Sequence, residues 1–104
     1  MSILEGVLKE ELQRQQSNIV AYAEKLSELP KGYLYIQCVN GRRYCYRKWR
    51  EGNKVLSSYI GEAESEEAEK AKRQYEERKR IAANLRELKK EEQRLKKALR
   101  HYAD

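Results

Sequence analysis

Apolar side chains return every three or four positions through the first 30 residues of the chain. Positions 5, 8, 12, 15, 19, 22, 26 and 29 read Glu, Leu, Leu, Gln, Ile, Tyr, Leu and Leu, and Val7, Val20 and Ala23 widen the stripe. That spacing predicts an amphipathic helix over 1–30 with one face turned to a partner. Ser2 followed by Glu5 has the form of a capping box, whose side chains satisfy free backbone N–H groups at a helix start. Pro30 stops the helix, because the residue before a proline is pushed out of the α region, and Lys31-Gly32 completes the exit.

The period then changes. Residues 33–39, YLYIQCV, are rich in aromatic and branched side chains. Asn40-Gly41 follows, the dipeptide favoured in a two-residue hairpin turn whose positions both need positive φ. RRYCYRKW (42–49), a turn at EGNK (51–54) and KVLSSYI (54–60) closed by Gly61 complete the segment. Residues 31–61 are therefore expected to form a three-stranded antiparallel meander.

From about Ser65 to about Tyr102 the helical period resumes. Positions 71, 74, 78, 81, 85, 88, 92, 95, 99 and 102 read Ala, Gln, Arg, Ile, Leu, Leu, Glu, Leu, Leu and Tyr, a coiled-coil seam interrupted at Arg78 and Glu92. Its start is acidic (Glu62, Glu64, Glu66, Glu67, Glu69) and its remainder largely basic, which complements the helix dipole at both ends. At roughly 1.5 Å per residue this helix would run roughly 55 Å against roughly 40 Å for the first. The first helix cannot cover the whole seam, so the rest must fray, meet the sheet or pair with another chain. The fold expected is α+β in a single domain over 1–104: a helix (1–30), a three-stranded meander (31–61) and a long charged helix (62–104), the helices forming an antiparallel coiled-coil-like pair.

Composition sharpens this picture. Of 104 residues, 38% are charged, well above the roughly 25% usual for globular domains, which suits long solvated helices. There is no Phe, yet there are eight Tyr and one Trp, rings with a polar tip that suit half-exposed surfaces. The net charge of +6 is uneven: residues 31–61 hold seven basic groups against Glu51 alone. Concentrated positive charge points to an anionic partner, nucleic acid before a membrane surface. No run of apolar residues is long enough for a membrane span. Glu5, Glu10 and Glu11 interrupt what a signal peptide would need, so a cytoplasmic, reducing compartment is expected.

The sheet faces follow from the first turn. A two-residue loop at Asn40-Gly41 pairs Val39 with Arg42, Gln37 with Tyr44, Ile36 with Cys45 and Tyr35 with Tyr46. Side chains alternate across a strand. One face then carries Leu34, Ile36, Cys38, Arg43, Cys45, Arg47 and Trp49; the other carries Tyr33, Tyr35, Gln37, Val39, Arg42, Tyr44, Tyr46 and Lys48. A two-residue second loop would add Leu56 and Ile60 to the first face, and Val55, Ser57 and Tyr59 to the second; a three-residue loop would swap them. Leu34, Ile36, Cys45, Trp49, Leu56 and Ile60 are the expected core. Arg43 and Arg47 share that face, where they must reach the edge or pair with a Glu of the long helix. The second face has the composition of a nucleic-acid platform, rings for bases or sugars and cations for phosphates. A sheet in a DNA major groove is another use of such a face. The alternative is that these rings pair across strands beneath the long helix. The candidate nucleic-acid contacts are Tyr33, Tyr35, Arg42, Arg43, Tyr44, Tyr46, Arg47, Lys48, Arg50 and Lys54.

These residues carry a resemblance. GYLYIQCVNGRRYCYRKWREGNKVLSSYIG, about 30 of the 104 residues, resembles a small sheet module at the amino terminus of some bacterial and phage transposases. Tyr44-Cys45-Tyr46, Arg50-Glu51-Gly52, Lys54-Val55 and Ile60-Gly61 stand where that module carries Y-x-Y, R-E-G, K-V and a terminal I-G or L-G. The arm-binding domains of tyrosine recombinases have a comparable sheet and helix. The order of elements is similar to that of short uncharacterised mobile-element proteins of phages and bacteria. The resemblance implies a nucleic-acid-related accessory role and transfers no catalytic residue.

Nothing in the sequence points to catalysis. His101 is the only His and falls in the last helical turn, where a cation suits the dipole. Cys38 and Cys45 sit diagonally on adjacent strands, which disfavours a disulfide. With one distant His they do not make a zinc site, and both read as buried small hydrophobes. Glu66-Glu67 and Glu91-Glu92 read as solvated charges, and no glycine-rich phosphate loop exists. Neither a metal nor a cofactor is expected. Three functional readings follow: a non-enzymatic module binding DNA or RNA through the Tyr/Arg/Lys face; a protein-interaction or inhibitor module of a phage or mobile element, such as an anti-defence or anti-CRISPR protein; and a structural homodimer through the C-terminal helix.

Overall fold

A computed structural model describes residues 2–102. In chain order they form α1 (Ile3–Glu28), β1 (Tyr33–Val39), β2 (Arg42–Glu51), β3 (Lys54–Glu62) and α2 (Glu66–Arg100), the expected α+β order. The chain divides into two compact units, one made of α1 with the part of α2 from Arg80 onward, the other of Leu29–Lys79.

In the first unit, the Glu5 backbone N–H donates to Ser2 Oγ at 3.0 Å, the cap expected from the sequence. The stripe positions Glu5, Leu8, Leu12, Gln15, Ile19, Tyr22 and Leu26 are all half-buried. Val7, Val20 and Ala23 do not widen the stripe; all three are exposed. At about 100° per residue, Val7 and Val20 fall more than about 100° from the stripe's centre, outside the arc that one facing helix covers. From α2, Ile81, Leu85 and Leu95 are buried, with Leu88, Glu92 and Leu99 half-buried along the same seam. Gln15 and Tyr22 of α1 line a groove together with Asn84, Leu88 and Arg94 of α2. Fully burying each such leucine or isoleucine contributes about 1.5–3 kcal/mol. Glu92, a seam interruption, pairs with Lys96 one turn on at 3.9 Å.

In the second unit, the strands form one antiparallel sheet in the order β1-β2-β3. The first hairpin has the derived register: Val39 opposite Arg42, Gln37 opposite Tyr44, Ile36 opposite Cys45 and Tyr35 opposite Tyr46. Asn40 (φ 52°) and Gly41 (φ 79°) are both left-handed, as that turn requires. The second loop is also two residues long, since Glu51 pairs with Lys54, and Val55, Ser57 and Tyr59 join the tyrosine face. Both later strands run two residues past their expected ends. A β-bulge explains this for β3: Tyr46 pairs with Tyr59, but Cys45 pairs with Gly61, so Ile60 is the extra residue. Past the bulge Glu62 lies opposite Tyr44, on the tyrosine face and not at the head of the helix.

α2 begins at a cap built by Ser65, whose Oγ accepts from the Ala68 N–H at 3.2 Å and donates to the Glu62 carbonyl at 2.7 Å. Its first turns lie on the other face of the sheet, with Cys45, Ala63 and Ala68 fully enclosed. Lys72 Nζ donates to the Ala63 carbonyl at 3.1 Å. The surplus seam thus meets the sheet. Arg78 interrupts the seam with a purpose, donating to the Leu29 carbonyl at 3.1 Å just past the end of α1. Leu34, Trp49, Leu56 and Ile60 of the expected core are half-buried, but Ile36 and Cys38 are exposed. They lie toward the far end of an edge strand, past the cover that the helix provides.

Candidate nucleic-acid interface

The residues proposed for binding divide between the two faces. Tyr33, Tyr35, Arg42, Tyr44, Tyr46, Lys48 and Arg50 share one face by strand alternation and register. Arg43 and Arg47 lie on the opposite face, and Lys54 follows the second turn with the same parity as they do. Arg43 forms an ion pair with Glu64 at 3.1 Å. The Arg47 guanidinium lies 4.6 Å from the centroid of the Trp49 ring. Both side chains therefore have local partners: an acid from the loop before α2 and a ring two residues along the same strand.

On the tyrosine face the rings contact one another. Tyr35 and Tyr46, directly opposite in the ladder, stack at 5.3 Å with planes 15° apart. Tyr59 meets Tyr46 edge-on at 5.5 Å and Tyr44 at 6.2 Å. The Tyr35 hydroxyl crosses β2 to Ser57 Oγ at 3.0 Å, and Lys48 Nζ lies 5.2 Å over the Tyr35 ring. Such pairs contribute about 0.5–1.5 kcal/mol each beyond the area they bury. The central rings are half-buried by this mutual packing, while Tyr33 and Tyr59 on the two edge strands keep 49% and 55% of their surface. α2's first turns lie on the opposite face, so within this unit no helix covers the rings.

Tyr59 was not among the expected contacts. Its place there depends on the length of the second loop, which the sequence left open between two and three residues. Its phenol is pushed above the ordinary value of 10.0, first by desolvation among its neighbours and then by the Glu62 carboxylate. Glu62 and Glu64 also line a hollow with Arg42 and Arg43. The positive charge of the face is therefore strongest at its other end, where Lys48 and Arg50 stand. There Tyr33, Lys48, Arg50 and Val55 line a hollow of about 310 Å³.

The thiols behave differently from one another. Cys45 is fully buried, and desolvation pushes its thiol up despite the nearby Lys72 ammonium. Cys38, expected to be buried, is exposed, and both are free. Among the described residues no group of three or more His, Cys, Asp or Glu gathers to hold a metal, and no helix is long and apolar enough to cross a membrane.

No curated protein and no solved structure matches the chain. A family model does match: residues 5–70, covering α1 from Glu5 onward, the whole sheet and the start of α2, fit the family described as Domain of unknown function (DUF6788). The match takes in well over half of the chain, and the protein belongs to that family.

Proposed function

We propose that the protein is a non-enzymatic nucleic-acid-binding module that meets DNA or RNA with the tyrosine face of its sheet. The observation that carries this reading is the placement of exposed phenol rings and the cations Arg42, Lys48 and Arg50 on one face, with the helix on the other. Among the described residues, neither Lys48 nor Arg50 is held in an ion pair. Such cations displace counterions from phosphates, and the rings offer apolar area for bases or sugars. The resemblance of residues 32–61 to sheet modules of transposases agrees with an accessory role in a mobile element.

Charge reversal of Arg42→Glu together with Lys48→Glu tests this. Affinity for mixed oligonucleotides, followed by fluorescence anisotropy, is expected to drop at least about tenfold, with a shallower salt dependence. Both side chains are at the surface or half-exposed, so the far-UV circular dichroism should not change. Wild-type affinity that does not fall with added salt, or a double variant that binds as well as wild type, would refute the reading.

A further inference from the structure

Resting on that reading, we infer that the hollow beside Tyr33 receives an unpaired nucleobase, so that the face selects single-stranded nucleic acid, or unpaired nucleotides, over duplex. The hollow lies at the end of the sheet where β1 begins, β2 ends and β3 begins. Its volume of about 310 Å³ stands at the small end of ligand pockets. Tyr33, with about half its surface uncovered, and Val55, 53% exposed, supply ring and apolar surface to its lining, which Gly32 and Trp49 complete. Lys48 and Arg50 border it with two cations for the flanking phosphates.

The rest of the face argues against insertion into a major groove. A groove reader projects long donors and acceptors onto base edges. Here the centre holds phenol rings already stacked on one another, and the Tyr35 hydroxyl is taken by Ser57. What the face leaves free is ring surface at its two edges. Across two strand spacings and two residues of offset, Tyr33 and Tyr59 lie roughly 12 Å apart at their Cα atoms. Bases in a duplex sit about 3.4 Å apart, sealed within the stack, and cannot reach such rings without being flipped at a cost of a few kcal/mol. An unpaired strand pays no such cost, and its bases are free to splay onto separate aromatic platforms.

The test compares a labelled single-stranded oligonucleotide with the same sequence as a duplex, in one buffer, for wild type, Tyr33→Ala and Tyr33→Phe. The single strand is expected to bind at least about tenfold tighter than the duplex. Loss of the ring in Tyr33→Ala should weaken single-strand binding by about 5- to 100-fold, as removal of one stacking platform does. Duplex binding should weaken far less than single-strand binding, and Tyr33→Phe, which keeps the ring, should retain most of the single-strand affinity that Tyr33→Ala loses. Tyr33 is half-exposed, so circular dichroism should report an intact fold for Tyr33→Ala. Equal binding of duplex and single strand, or a Tyr33→Ala protein with undiminished single-strand affinity, overturns this inference and leaves the nucleic-acid reading standing. Absence of binding to either form at low salt refutes both.

Discussion

Side chains of one type fall into very different surroundings in this protein, and the two cysteines make the point most simply. Cys45 faces the helix from the middle strand and has no exposed surface; Cys38 faces the same way from the edge strand and is open to solvent. Desolvation disfavours the thiolate of Cys45, and the thiolate is the reacting species. A thiol reagent at neutral pH should therefore modify Cys38 fast and Cys45 only after unfolding, giving a single adduct by intact-mass measurement. Two adducts at equal rates would show that the sheet-helix interface opens readily. Alternation correctly assigned both residues to one face. It carried no information on how far along that face the helix reaches.

Individual elements are specified mostly by their ends. Ser65 sits where β3 must give way to α2, and its hydroxyl both receives the Ala68 N–H and holds the Glu62 carbonyl. Replacing it by alanine should cost about 1 kcal/mol of stability, the usual loss for a helix cap, measured as a shift in the urea midpoint. A negligible shift would mean that the three acidic residues of the first turn and the packing of Ala68 hold the helix start unaided. At the other exit, Gly32 (φ 91°) passes so close to β2 that a Cβ would lie 2.0 Å from the Lys48 carbonyl oxygen. The helix breaker and turn dipeptide were legible because their chemistry is local. The bulge opposite Cys45 was not. It arises where Gly61 passes against Ser65, a contact between β3 and the helix cap that no strand pattern encodes.

The molecule as a whole carries a net charge of +6 on a surface laced with short-range ion pairs. Lys72–Glu69, Lys90–Glu87 and Arg94–Glu91 lie three residues apart at the surface of α2, and Lys9 reaches back four residues to the half-buried Glu5. Pairs of this kind contribute about 0–1 kcal/mol each and are screened by salt. Among the described residues the buried side chains are few: Cys45, Ala63 and Ala68 in one unit, and Ile81, Leu85 and Leu95 in the other. Folding therefore depends on apolar burial, whereas the proposed binding depends on phosphate contacts. Raising salt from about 50 mM to about 500 mM should reduce oligonucleotide affinity steeply while moving Tm by less than about 5 °C. A large fall in Tm over that range would mean that the ion pairs contribute more to the fold than their exposure allows.

Period, turn chemistry and breakers along the chain sufficed to define the five elements, the first hairpin's register, the faces of β1 and β2 and the position of the helix seam, because each depends on residues within a few places of one another. The tertiary structure alone decided which face the helix covers, how much of that cover reaches Ile36 and Cys38, and that Glu62 and Tyr59 join the tyrosine face. Those outcomes depend on where α2 docks and on a bulge at the sheet's margin. Both are set by packing between segments distant in sequence, where local preference is silent.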